Sequence, residues 1–120
     1  MALVAWQARE QARVHGKTLV GAAVLADGDH IFAGCNIEHI FRSHDVHAEV
    51  NALTSMVAAG HGPARAILIV AERKRFTPCG SCLDWIFELG GPLCIVGFQR
   101  TRDGAIEKLS AHELMPYYPT

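Results

Sequence analysis

The sequence predicts an α/β fold, a mixed five-stranded sheet covered by helices, on three observations. Apolar runs at residues 66–72 and 93–99 flank a helical stretch, and such a strand-helix-strand unit implies a right-handed crossover and a parallel pair. Upstream, two further apolar runs, 19–26 and 31–36, enclose DGDH, whose Asp27-Gly28 step offers the positive-φ residues of a tight antiparallel hairpin. A fifth, short strand, AIEKL, follows the turn TRDG. No internal repeat, linker or low-complexity segment interrupts residues 1–120, which are expected to form a single domain.

Each helix has its own signal. Leu3, Val4, Trp6, Ala8, Ala12 and Val14 lie among Gln7, Arg9, Glu10, Gln11 and Arg13 in an imperfect stripe, predicting a first helix that ends near Gly16. A polar stretch from Glu38 to Asp45 leads to a second, from about His47 to Ala59, with Asp45 as its cap and Gly60 to Pro63 as its stop. AILIVAE, residues 66–72, is too short for a buried helix and reads as a central strand, with ERKRF as a charged connection after it. Pro78 opens a third helix, GSCLDWIFEL, closed by Gly90-Gly91-Pro92. SAHELM gives a last brief helix before the tail PYYPT.

Hydrophobic residues make up 50% of the chain and charged ones 19%, which fits a globular protein with a generous core or a buried subunit interface. The formal net charge of -1 leaves no positive excess to neutralise a phosphate backbone, which argues against nucleic acid as a partner. MALVAWQAREQARVH carries charges every few residues and reads neither as a signal peptide nor as a membrane span, so a cytoplasmic location is expected. In that reducing setting four cysteines argue for thiols or metal ligands before disulfides.

Cys79 and Cys82 stand three apart at the start of the third helix, where both sulfurs point to one side and free N–H groups favour thiolate. That is half of a zinc site, and no second CxxC completes a structural cage. His47, opening another helix across a strand, is the best third ligand, since open sheets place their sites where helices begin at the carboxyl ends of strands. Three protein ligands leave a fourth tetrahedral position for water, the arrangement of a catalytic zinc site. Glu49 then reaches the water from the first helical turn as general base and acid. A redox dithiol would leave His47-Ala48-Glu49 idle. Cys35 and Cys94, in apolar strands, are expected to be inert buried thiols.

The pairing of His47-Ala48-Glu49 with Pro78-Cys79-Gly80-Ser81-Cys82 is the H-x-E and P-C-x-x-C signature of zinc-dependent nucleobase deaminases. With Val20-Gly21-Ala22-Ala23, Gly34-Cys35-Asn36-Ile37-Glu38 and Glu113-Leu114-Met115-Pro116, the chain resembles the small cytidine deaminases and the related blasticidin S deaminases. The resemblance implies a cytidine deaminase-like three-layer α-β-α sandwich. It implies one zinc per subunit on His47, Cys79 and Cys82, and Glu49 as the proton shuttle. It also implies a ring-carbonyl contact from the Ala48 N–H, a leaving-amine contact from the Thr77 carbonyl, and ribose contacts from Asn36 and Glu38. The activity it implies is hydrolysis of a cytidine-type aminopyrimidine nucleoside to the uridine product and ammonia. A homotetramer, or a homodimer, is implied too, and the apolar third helix with Trp85, Ile86 and Phe87 offers surface for one.

Departures bear on the pocket. Small cytidine deaminases usually carry cysteine at the position of His47 and arginine at that of Leu83; neutral His47 removes one negative charge and the need for that cation. Thr18 stands at an aromatic substrate-contacting position, and His39-Ile40-Phe41 replaces an Asn-Ala segment, altering the expected pocket wall. These changes keep open a cytosine-containing nucleoside antibiotic or a free base as substrate, and a non-catalytic zinc-stabilised scaffold is the reading furthest from the motifs. His44 is expected to finish a loop near the site. Tyr117 and Tyr118 either reach a neighbouring subunit or cover the core.

Overall fold

The computed structural model describes residues 1–119; Thr120, the last residue of the tail PYYPT, lies outside them. Alternating side chains lay out the sheet. Its strands β1 (Gly21–Ala26), β2 (His30–Cys35), β3 (Ala64–Val70), β4 (Ile95–Gln99) and β5 (Ile106–Ser110) run in the order β2-β1-β3-β4-β5. β3 and β4 are parallel and the other neighbouring pairs antiparallel, the mixed sheet expected. Ala22, Val24, Ile67, Ile69, Val96 and Phe98 point to one face, where α2 (Ala48–Ala58), α3 (Gly80–Gly90) and α4 (Ala111–Leu114) supply Leu53, Met56, Ile86 and Ala111. Ala23, Leu68 and Val70 point the other way, beneath Ala5 and Trp6 of α1 (Ala2–Arg9). The result is helix, sheet and helix in three layers.

One glycine fixes how close the active layer comes. A Cβ on Gly34 would lie 2.4 Å from the Ala52 nitrogen and 2.5 Å from the Ala48 carbonyl oxygen, so only glycine lets the first turns of α2 rest on β2. At the start of α4, Ser110 and Glu113 form a reciprocal capping box.

Three expectations are corrected. α1 stops at Arg9 and does not run to Gly16, because Gln11 and Ala12 close tight turns onto Ala8 and Arg9 and the chain then leaves the helix. Arg13 donates its N–H to the Asn36 carbonyl at 3.1 Å and accepts from the Glu38 N–H at 2.7 Å, so residues 13–20 form a non-helical strap along the end of β2. In the hairpin the positive-φ residues are Gly28 and Asp29, one step later than Asp27-Gly28. Asp45 does not cap α2: its carboxylate accepts from the His39 N–H and pairs with Arg42, and His47 occupies the capping position.

Candidate metal centre

β2 and β3 both run antiparallel to β1, with Cys35 and Val70 opposite Gly21, so the chain leaves both strands at the same rim of the sheet, from which it goes on to α2 and α3. His47 precedes α2 with extended backbone, φ -78 and ψ 154. Its ring is therefore not bound to the ~100° per residue that would separate it from Glu49 inside a helix. Cys79 caps α3, and its Sγ accepts from the Cys82 N–H at 3.4 Å.

The sequence-predicted ligands come together. His47 Nδ1 lies 3.2 Å from Cys82 Sγ and 3.5 Å from Cys79 Sγ, and the three ligand atoms all lie within 4.8 Å of one another. Zinc at about 2.0–2.1 Å from nitrogen and about 2.3 Å from sulfur would set a tetrahedral N···S edge of roughly 3.6 Å, so the donor set fits the ion in kind and in spacing. It is the one cluster of this type among the described residues. Glu49, only 7% exposed, stands beside it. Burial raises its carboxyl above the usual range against the opposing pull of its own N–H, the His47 charge and the Cys82 thiol. Burial, then the Glu49 carboxylate, drives the Cys82 thiol upward as well. Anionic donors pressed toward their neutral forms are what a cation between them would relieve.

A cavity of about 340 Å³ opens onto these groups, within the range of small-molecule sites. Of the expected substrate contacts, Asn36, Glu38, Ala48 and Thr77 all line it. The Ala48 N–H lies before the first helical bond of α2, from the Asn51 N–H to the His47 carbonyl, and so is not used by the helix. Asn36 and Glu38 already hold the strap: Asn36 accepts from the Val20 N–H at 2.9 Å and donates to the Thr18 carbonyl at 3.0 Å. Glu38 Oε1 accepts from the His15 and Gly16 N–H groups at 2.7 and 2.8 Å, and Oε2 pairs with Arg42 at 3.1 Å. Gly16, His15 and Arg42 together hold the Glu38 carboxyl below the usual carboxylate range.

Thr18 lines the cavity as expected, whereas His39, Ile40 and Phe41 do not. Their loop folds on itself, His39 stacking on Phe41 and packing edge-on against His44. Sequence reasoning missed Arg42 and Arg73, which the cavity exposes at its wall. The charged run ERKRF was the only signal for Arg73, and nothing local tells that one of its cations turns inward. Cys94 is buried, its thiol pushed up to about 11 by burial, and Cys35 is half-buried and raised for the same reason. Tyr118 stacks on Phe87 and hydrogen-bonds Asp84, covering α3, while Tyr117 is 95% exposed. No helix among the described residues is long and apolar enough to cross a membrane.

Comparison with known proteins agrees with this geometry. A family profile described as the cytidine and deoxycytidylate deaminase zinc-binding region matches residues 1–98. A cytidine deaminase of Sporosarcina psychrophila is 35% identical over 92% of this chain and 82% of its own. One from Halalkalibacterium halodurans is 34% identical over 92% and 84%. The crystal structure of a cytidine deaminase from Burkholderia pseudomallei superposes with a TM-score of 0.88 at 34% identity, covering 97% of this chain and 94% of that one. Both the extent of the profile match and the identity to full-length relatives lead to one assignment: the chain belongs to the cytidine and deoxycytidylate deaminase family.

Proposed function

We propose that residues 1–120 form one deaminase domain that hydrolyses the exocyclic amine of a cytidine-type aminopyrimidine nucleoside, giving the uridine product and ammonia. The observation that carries this is the gathering of His47, Cys79 and Cys82 around one point beside a buried Glu49, with His47, Glu49 and Cys79 lining a nucleoside-sized cavity. His47 Nδ1 and the two Sγ atoms would hold one zinc per subunit. Bound there, zinc supplies Lewis acidity that brings the pKa of water to about 7.

The protein's own groups do the rest. Glu49 takes one proton from the attacking water and gives it to the ring nitrogen, then takes the remaining hydroxyl proton and gives it to the amine, which departs as ammonia as the C–N bond breaks and the new carbonyl forms; its burial and raised pKa suit this shuttling. The free Ala48 N–H orients the ring carbonyl and the Thr77 carbonyl accepts from the amine. Asn36, after its two strap bonds, keeps one amide hydrogen and one lone pair for a ribose hydroxyl. Glu38, with three of about four lone-pair sites used, keeps one.

Replacing Glu49 by glutamine tests the reading. Metal analysis should still find about one zinc per chain, while ammonia release falls at least about hundredfold; an undiminished rate would sink the catalytic assignment. The proposal extends to a cytoplasmic homotetramer, supported by four free thiols and by exposed Trp85, Leu93, Ile95 and Ile106. Sedimentation should find four 13.0 kDa chains per particle, and a monomer at micromolar concentration would overturn it.

A further inference from the structure

The ladder between β1 and β3 ends at Gly21 opposite Val70. Continued in the same register it would set Val20 against Ala71 and Leu19 against Glu72, yet no hydrogen bond joins residues 18–20 directly to 71–73 among the described residues. The two chains part here to make a wall of the cavity, which Thr18 and Val20 line from one segment and Ala71 and Arg73 from the other. Alternation turns Leu19 and Glu72 to the opposite face of the sheet, the one α1 covers. There Arg9, the last residue of α1, meets both: its Nε donates to the Leu19 carbonyl at 3.2 Å and its Nη2 pairs with Glu72 at 3.5 Å.

Arg9 is itself held firmly. A Cβ on Gly21 would come within 2.9 Å of the Arg9 nitrogen, so the end of α1 rests directly on the start of β1. Its side chain is only 13% exposed, and its guanidinium lies 5.4 Å from the centre of the Trp6 ring, which is anchored in turn by Nε1 donating to Gln99 Oε1 at 2.7 Å. A planar cation with donors on three nitrogens can serve a carbonyl and a carboxylate at once. Asn36 binds the same strap from the other side, through the Val20 N–H and the Thr18 carbonyl.

We propose that Arg9 is a positioning residue for substrate binding: from the sheet face opposite the metal centre, it clamps Thr18–Val20 to Ala71–Arg73 and so sets the width of the cavity. The inference rests on the deaminase reading above for the substrate whose binding it governs. Neither clamped segment carries a metal ligand or Glu49, whereas Asn36, read above as a ribose contact, is bonded to Thr18 and Val20. Opening the clamp therefore weakens the hold on the substrate more than it slows the chemical step.

The test uses zinc-loaded protein, ammonia release from cytidine, and amide hydrogen exchange at Val20. Arg9→Met keeps the reach of the side chain and removes its donors; KM should rise about tenfold while kcat changes less than about twofold, with zinc still at about one per chain. The Val20 N–H should exchange about tenfold faster in that variant. Arg9→Lys, with a single cationic nitrogen, should recover part of the KM. Glu72→Ala removes one arm of the clamp at an exposed position and should raise KM about threefold, adding little when combined with Arg9→Met. A KM that Arg9→Met leaves unchanged while Tm falls would make Arg9 a merely structural residue and overturn the clamp alone, as would independent, fully additive effects of Arg9→Met and Glu72→Ala. Should Arg9→Met fail to fold, Glu72→Ala decides, and a wild-type KM there overturns the clamp. A wild-type protein that releases no ammonia from cytidine would overturn the deaminase reading and the substrate role of Arg9 with it.

Discussion

Glu38 shows how one side chain can hold a stretch of irregular chain in place at the wall of a cavity. Its carboxylate collects the N–H groups of His15 and Gly16 and the guanidinium of Arg42, and these donors, outweighing burial, lower its pKa. A depressed carboxyl stabilises the fold above its unfolded value of about 4.3, and that contribution disappears as pH falls through the lower folded value. The His15 and Gly16 amide resonances should therefore titrate together by NMR with a midpoint below about 4.3, and Glu38→Gln should flatten both. A midpoint at the ordinary value would mean the strap is not held this way. At this scale the metal ligands were legible in the sequence because two short motifs carry them: His47-Ala48-Glu49 and Cys79 to Cys82 are defined by spacing along the chain. Arg42 was not, since its place depends on Glu38 and Asp45 meeting it from a folded loop.

Elements hold the ligands in place through contacts that leave little slack. α2 delivers Ala48 and Glu49 only because Gly34 of β2 lets the helix backbone approach closely. Gly34→Ala would set a methyl group against the Ala52 nitrogen and the Ala48 carbonyl, and overpacking of this kind costs about 1–3 kcal/mol. Denaturant unfolding should register that loss, and deamination should fall as well, since the displaced turn bears Glu49; native stability in the Gly34→Ala variant would contradict the packing described. Helix and strand identities were legible from periodicity, but their limits were not. α1 ends early because Arg13 finds partners on Asn36 and Glu38, residues more than twenty positions away that no local pattern reveals. Asp45 read as a cap for the same reason: its actual partners, His39 and Arg42, come together only once the loop has folded.

In the whole molecule the proposed zinc joins α2 to α3 across β3, tying chain segments that the sequence separates by the length of a helix and a strand. Such a ligand stabilises the native state by mass action, about 4 kcal/mol at a thousandfold excess over Kd. Chelation should lower Tm and added zinc should restore it, while Cys79→Ser, at an exposed position, should remove most of that zinc-dependent gain. A Tm indifferent to zinc in the unmodified protein would count against the site. The sheet order also decides what surrounds the cavity. β1 is antiparallel to β3, with Gly21 opposite Val70, so the chain enters β1 at the rim where β3 leaves, and Thr18 and Val20 are brought to the cavity. The opposite rim gathers the hairpin of Gly28 and Asp29, the turn of Gly60 to Pro63 and the loop after Gly90, none of which borders the cavity. That division gives the protein a working end and a handle: a surface anchor or a fused peptide grafted at the hairpin would tether the catalyst while leaving its mouth open to solvent.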